Sequence, residues 1–493
     1  MEASGSLHLL PEWKARLFFP VLVFAGFVVA IISTLGTPMI PTIAREQGVS
    51  VDTAQWLLTV TLLVGAVATP INGRLADGPW RWHTILASLG LVFIGAIISA
   101  LSDSFGPFIA GRAMQGIGQA IIPLTIASAR EVLPKERIRG SIGILSITTA
   151  AGVGLGYPIT GFIAEHFDYH AGFWFAAVVT ALAIIAVYAV VPKIATSEAR
   201  PLDIPGAILL SVGMLALLLP ISQGERWGWG SGRVLGLFAV AVIALGLWVA
   251  QELRTAYPLV ELRLLTHRYV LAADVIVVLM GMGLYSMSSL VNRYVQTPGE
   301  AGYGFDSSLL TTGLMLTPLS IGSVLSSRLA ARLVSRVGAG ITLALGSAVT
   351  GADMLYLAIT RSSRWEIVVA TFLLGIGVGM TFAMMPALII RSVPARETGS
   401  ATGLNQVLRL VGGSIGSASS VAILTAHQPE GAAFTTDHGY TVAFAVGAVL
   451  CFLAAIASLL LVGRADDSPS PVPVERMQEP ARDLAAVSTG AQQ

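Results

Sequence analysis

The chain has 493 residues, 54 % of them hydrophobic and 12 % charged, and a formal net charge of +1. A soluble chain carries about twice that share of charge, and so balanced a total offers no basic face for nucleic acid. Apolar runs of about 18–25 residues recur from end to end, each long enough to cross a hydrocarbon core of about 30 Å as a helix. Lipid cannot hydrogen-bond a bare backbone, so the runs must be helices or barrel strands. They are too long for strands and lack period-two alternation.

In chain order the predicted spans run at about 17–40, 54–72, 83–102, 106–129, 138–164 and 170–191, then 204–222 and 231–251, then 269–291, 308–327, 338–359, 365–390, 398–426 and 440–463. The expected organisation is a lead over about 1–16, a six-helix bundle over 17–191, two inserted helices with their loops over 192–268, a second six-helix bundle over 269–463, and a polar, Pro/Ser-rich tail over 464–493 expected to be disordered. With the N-terminus inside, inner segments hold about 21 Lys and Arg and outer segments about six, so both termini are expected in the cytoplasm of a multi-pass inner-membrane protein.

The first span carries Ser33 and Thr34 but no carboxylate. Trp56, on span two, suits packing or substrate stacking equally. The following loop holds Gly73, Asp77 and Arg81. A glycine there lets two helix ends approach, and Asp77 can cap a helix N-terminus or bind an arginine such as Arg139, which makes this a candidate gate. Span four holds Arg112, Gln115 and Gln119. A charge at mid-helix costs a few kcal/mol and usually faces a cavity or a partner, so Arg112 lines a cavity or locks the bundle by binding carbonyls. In span five Gly152, Gly156, Pro158 and Gly161 allow close packing and a bend.

Asp274 and Asp353 are acids within later spans, each a candidate proton site or an interfacial carboxylate. Span thirteen holds Asn405, Gln406 and Arg409. With Gln115 and Gln119 the two amides either line a cavity or join helices. The stretch from Gly116 to Ser141 is echoed from Gly375 to Ser400 by a glycine pair, a mid-helix proline, an exit arginine and a proline loop. Two repeated halves around a midplane site suit an alternating-access carrier.

These motifs resemble those of the major facilitator superfamily. Gly73, Leu75, Asp77 and Arg81 match its loop signature G-x-L-A-D-x-x-G-R-K, although Trp80 and Trp82 replace a glycine and a basic residue. Arg112, Gln115, Gly116 and Gly118 match R-x-x-Q-G-x-G. The span-five glycines approach an antiporter signature, with Tyr157 and Phe162 in place of two of its glycines. With the inserted pair, the chain resembles the fourteen-span drug:proton antiporter branch, in which an aspartate often stands where Ser33 stands here. The resemblance implies an all-α integral membrane protein of two six-helix bundles plus two extra helices. It also implies proton-driven efflux of amphipathic small molecules, coupling through Arg112, a proton gradient with no cofactor, and function as a monomer in the bilayer. Ser33 keeps an uncoupled facilitator or importer open, and leaves Asp274 as the first candidate proton site, ahead of Asp353. Two mid-span arginines and no span-one acid point to neutral or anionic substrates. No convergent nucleophile, base or metal set marks a membrane enzyme, and no soluble signalling domain marks a receptor.

Overall fold

The computed structural model describes residues 10–36, 39–193, 201–394, 397–429, 432 and 434–463. The expected disordered tail lies outside them. Helix α1 (Glu12–Thr34) ends earlier than predicted because Gly36 turns the chain at φ +88°. Only glycine adopts that backbone readily. Two short helices, Ile40–Glu46 and Val51–Ala54, lead on to α2 (Trp56–Ala76) and α3 (Arg81–Leu101).

The span α4 is two twelve-residue helices, Phe105–Gly116 and Ile121–Val132, joined by a 3-10 turn over Ile117–Ala120. The backbone stays right-handed through the turn, at φ −58° and ψ −26° for Ile117, so the span continues. Thirteen described helices are unbroken and apolar enough to cross a membrane, and the interrupted α4 makes one more. The others are α5 (Lys135–His166), α6 (Tyr169–Val190), α7 (Ile204–Trp227), α8 (Gly232–Arg254), α9 (Arg268–Gln296), α10 (Leu309–Val337), α11 (Ala339–Ile359), α12 (Arg364–Ser392), α13 (Thr398–Ala426) and α14 (Asp437–Ala457). Local sequence sets several starts. Asp168, Asp203, Ser231 and Ser308 each accept a backbone N–H three residues on, and Ser363 with Glu366 forms a capping box.

In the first half α1 packs on α5 and α6, α3 on α4 and α6, and α2 on α4. The same pairs recur with eight added: α9 on α13 and α14, α11 on α12 and α14, α10 on α12. Each half has its own core, around Leu22, Phe108 and Phe173 in one and Met287, Phe382 and Phe444 in the other. The halves meet along two seams, α5 on α10 and α2 on α13. Helix α8 packs chiefly on α7 and is otherwise bare, with Val242 74 % exposed. Helix α7 is the more closely held of the inserted pair. It packs on α2 and α13 together, with Met214 and Leu218 against Leu63, Ala66 and Val407.

Candidate functional site

The two faces of the molecule differ. On the face bearing the α2–α3 loop, Asp77 accepts hydrogen bonds from the amides of Gly399 (2.6 Å) and Ser400 (2.8 Å) at the start of α13. A carboxylate at a helix N-terminus meets free N–H groups and a favourable dipole. Gly73 makes the approach possible, since a Cβ there would lie 2.7 Å from the Gly399 carbonyl oxygen. Arg74 pairs with Glu397 at 3.2 Å, both buried. Arg130, at the end of α4, donates to the Thr398 hydroxyl and to the carbonyls of Val393 (3.0 Å) and Pro394 (3.3 Å). Arg81 pairs with Glu131 and donates to the Ala76 carbonyl. The cations at this tie are thus Arg74, Arg81 and Arg130; the Arg139 side chain lies outside the described ones. Burial, and then the Glu397 carboxylate, push Asp77 up to about 7 against the pull of its amide donors.

Toward the opposite face a cavity of about 360 Å³ opens between the halves. Its wall includes Ser33, Gln55, Gln119, Tyr157 and Tyr285, Ser222 and Glu225 from α7, and Trp229 just beyond its end. Of the sequence-predicted cavity residues, Gln119 is on this wall. Trp56 instead packs among the α2, α7 and α13 side chains, and Gln115 is buried within the first half.

Below the cavity a void of about 20 Å³ lies where α4, α5, α9, α12 and α13 meet, lined by Asn405, Gln406 and Arg409. A void of this size holds about one water. The Arg409 guanidinium donates to the Thr149 hydroxyl at 3.2 Å and lies 4.8 Å from the Phe382 ring centre. One turn earlier, Asn405 donates to Asp274 at 2.8 Å, and the other Asp274 oxygen is buried with no hydrogen-bond partner among the described residues.

Arg112 is fully buried away from both spaces. It donates to the Gln115 side-chain oxygen (2.6 Å) and to the Ile32 carbonyl (3.3 Å), and Gln115 reaches Ser99 at 3.4 Å. These bonds join α4 to α1 and α3. Asp353 is 1 % exposed, and both its oxygens lack hydrogen-bond partners among the described residues. It lies within the second half near Cys451, away from both cavities. The glycines of α5 divide their work. Gly152 and Gly156 face Ala30 and Thr34 of α1, while Gly161 and the Pro158 backbone lie against Leu309 and Gly313 of α10.

Sequence reading missed Glu225, Arg293 and Glu397. Glu225 sits in a Glu-Arg-Trp-Gly-Trp stretch that reads as a loop, whereas α7 runs on through Trp227. Glu397 follows the proline loop of the repeat, and its place beside a helix start was the available signal.

The family model for the Major Facilitator Superfamily matches residues 22–417. The chain is 28 % identical over 425 residues to the tetracenomycin C resistance and export protein of Streptomyces glaucescens, covering 85 % of this chain and 78 % of that one. It is 27 % identical over 475 residues to the puromycin resistance protein of Streptomyces alboniger, covering 90 % and 91 %. An uncharacterized MFS-type transporter of Mycobacterium tuberculosis is 28 % identical over 426 residues; the match covers 84 % of this chain but only 60 % of that longer one. Among solved structures, the human organic anion transporter MFSD10 matches with TM-score 0.63 at 15 % identity, over 90 % of this chain and 99 % of that one, a likeness of fold.

Proposed function

Because the chain belongs to the major facilitator superfamily of transporters, we propose that it is a secondary active exporter of amphipathic small molecules, driven by the proton gradient through alternating access. One observation carries this reading. A cavity between two pseudo-repeated halves opens toward one face, while charged ties shut the other. Lys/Arg bias makes the shut face cytoplasmic and the open face external, with both termini in the cytoplasm of the inner membrane. The curated export and resistance relatives support the outward direction.

Coupling needs a group that changes protonation in each cycle. Asp274 suits this role, since one oxygen is held by Asn405, which lines the small void, and the other is buried without a hydrogen-bond partner among the described residues. Arginine does not release its proton in the working range. Asp353 is the reserve site. The protein works as a monomer, with no cofactor. Purified protein in vesicles, given an imposed pH gradient and a panel of amphipathic compounds, tests the reading. Uphill accumulation that collapses with the gradient is expected. Asp274→Asn should abolish it and leave counterflow exchange intact. Full uphill transport by that variant would move coupling to Asp353. Ser33 favours a second reading, because it puts a hydroxyl on the cavity wall where the branch often has an acid. Transport by the native chain that only follows the compound's own gradient would establish that uncoupled facilitator instead.

A further inference from the structure

We infer that Glu225, on the inserted helix α7, selects amphiphiles bearing a cationic nitrogen or phosphorus centre, so that the insert forms part of the binding site. The inference rests on the cavity being a substrate site. It replaces the neutral-or-anionic preference expected from Arg112 and Arg409. Arg112 is turned into the first half, and Arg409 lines the small void below the cavity. Neither charge is on the cavity wall.

The charged residues on that wall are Glu225 and Arg293, and no ion pair joins them among the described residues. Glu225 is exposed in the last turn of α7, and one of its oxygens accepts a hydrogen bond from Thr425 of α13. The acid is thereby positioned, with its second oxygen left for a ligand. Trp229 folds back against α7, its ring 2.7 Å from where a Cβ on Gly224 would lie, and reaches the same wall. The phenols of Tyr157 and Tyr285 lie on the same wall. A carboxylate among aromatic groups is the chemistry that holds an organic cation, by charge and by the ring quadrupole.

Arg293 is placed differently. It also lines a second, shallower recess with Asn292, Gln296 and Tyr303, so it stands at the boundary of two openings. Both side chains are exposed, and Glu225 is the one held by a hydrogen bond from Thr425 and set beside the Trp229 ring, which lies over Gly224. The position of α7 strengthens the case. It bridges α2 and α13, one helix from each half, so a ligand on Glu225 touches the element that senses their separation.

The test uses tetraphenylphosphonium and tetraphenylborate, ions of nearly the same shape and opposite charge. Equilibrium binding is measured on the full chain in nanodiscs, with empty nanodiscs subtracted. The phosphonium should bind at least about tenfold more tightly than the borate. Glu225→Gln should lower phosphonium affinity about tenfold and leave borate affinity unchanged or higher, while Glu225→Asp keeps the discrimination. Arg293→Gln should not weaken phosphonium binding. Equal loss of both ions in Glu225→Gln, or no change in either, overturns the inference. So does a preference for borate that disappears in Arg293→Gln. A melting curve on each variant separates lost binding from lost fold. Binding is read without a proton gradient. Failed pH-driven transport would therefore count against the exporter reading alone, and lost ion discrimination against this inference alone.

Discussion

The α5–α10 seam and the α2–α13 seam join the same two halves with different materials. Along α5 and α10, backbone is fitted into backbone. A Cβ on Gly161 would meet the Leu309 carbonyl oxygen at 2.7 Å, and one on Gly313 would meet the Pro158 nitrogen at 2.6 Å. Few polar bonds cross there, among them Ser320 to the Ala151 carbonyl at 2.6 Å and the Leu310 amide to Glu165 at 3.0 Å. Along α2 and α13 the contact is held at one end by Asp77, Arg74 and Glu397, and toward the cavity α7 stands against both helices. Close apolar contact has no substitute in water or lipid, whereas charged groups trade protein partners for water when a face opens. The first seam is therefore suited to persist through the cycle and the second to break and reform.

The largest effect should come from filling the first seam. Gly313→Leu forces a side chain into backbone and should cost about 1–3 kcal/mol or more. Transport should be lost and the melting temperature lowered by several degrees. Gly246→Ala on α8, where nothing lies within 4 Å, should change neither. Equal tolerance at both positions would refute a fitted contact.

Next comes the tie. Asp77→Asn replaces one acceptor by a donor, so one amide at the start of α13 loses its partner, at about 1–3 kcal/mol. The variant should rest with its Asp77 face open, with amide exchange at Gly399 and Ser400 accelerated about tenfold to a hundredfold. Unchanged exchange would reduce Asp77 to an ordinary loop charge.

The native tie should also respond to pH. Asp77 stands at about 7 when buried in the closed face and near its usual value of 3.8 when exposed. The closed face thus binds more protons between those values. Closure should be favoured as pH falls and should weaken as pH rises through about 7. The protonated acid still offers two oxygens to the amides, so Asn does not mimic it. Exchange at Gly399 measured from pH 6 to pH 8, corrected for intrinsic rates, checks the sign, and in Asp77→Asn the dependence should vanish. The smallest effect belongs to Thr425→Val, which removes the Thr425–Glu225 hydrogen bond between α13 and α7. A stability loss of about 1 kcal/mol or less is expected by thermal unfolding. A loss as large as that of Gly313→Leu would show that α7 carries the second seam as firmly as glycine carries the first.

Span lengths and the Asp77 loop were legible in the sequence because they depend on hydropathy and short-range spacing. Azimuth was not legible, since lipid and the protein interior are both apolar and a span shows little moment. Residues 112, 115 and 119 share one face of an ideal helix, yet Gln119 reaches the cavity while Arg112 and Gln115 point elsewhere. The 3-10 turn at Ile117–Ala120 winds at about 3.0 residues per turn in place of about 3.6, which rotates the face by several tens of degrees. Arg74–Glu397 was hidden for another reason. Its partners are 323 positions apart and only the packing of the halves joins them.

The chain's one cysteine, Cys451, has no exposed surface in α14. A membrane-impermeant thiol reagent therefore finds no target on the native protein. Any cysteine placed at an exposed position becomes chemically unique without prior removal of others. A dye or spin label beside Glu225 and a second beyond Asp77 would report the distance between the two ends of one seam, against a native background that is already silent.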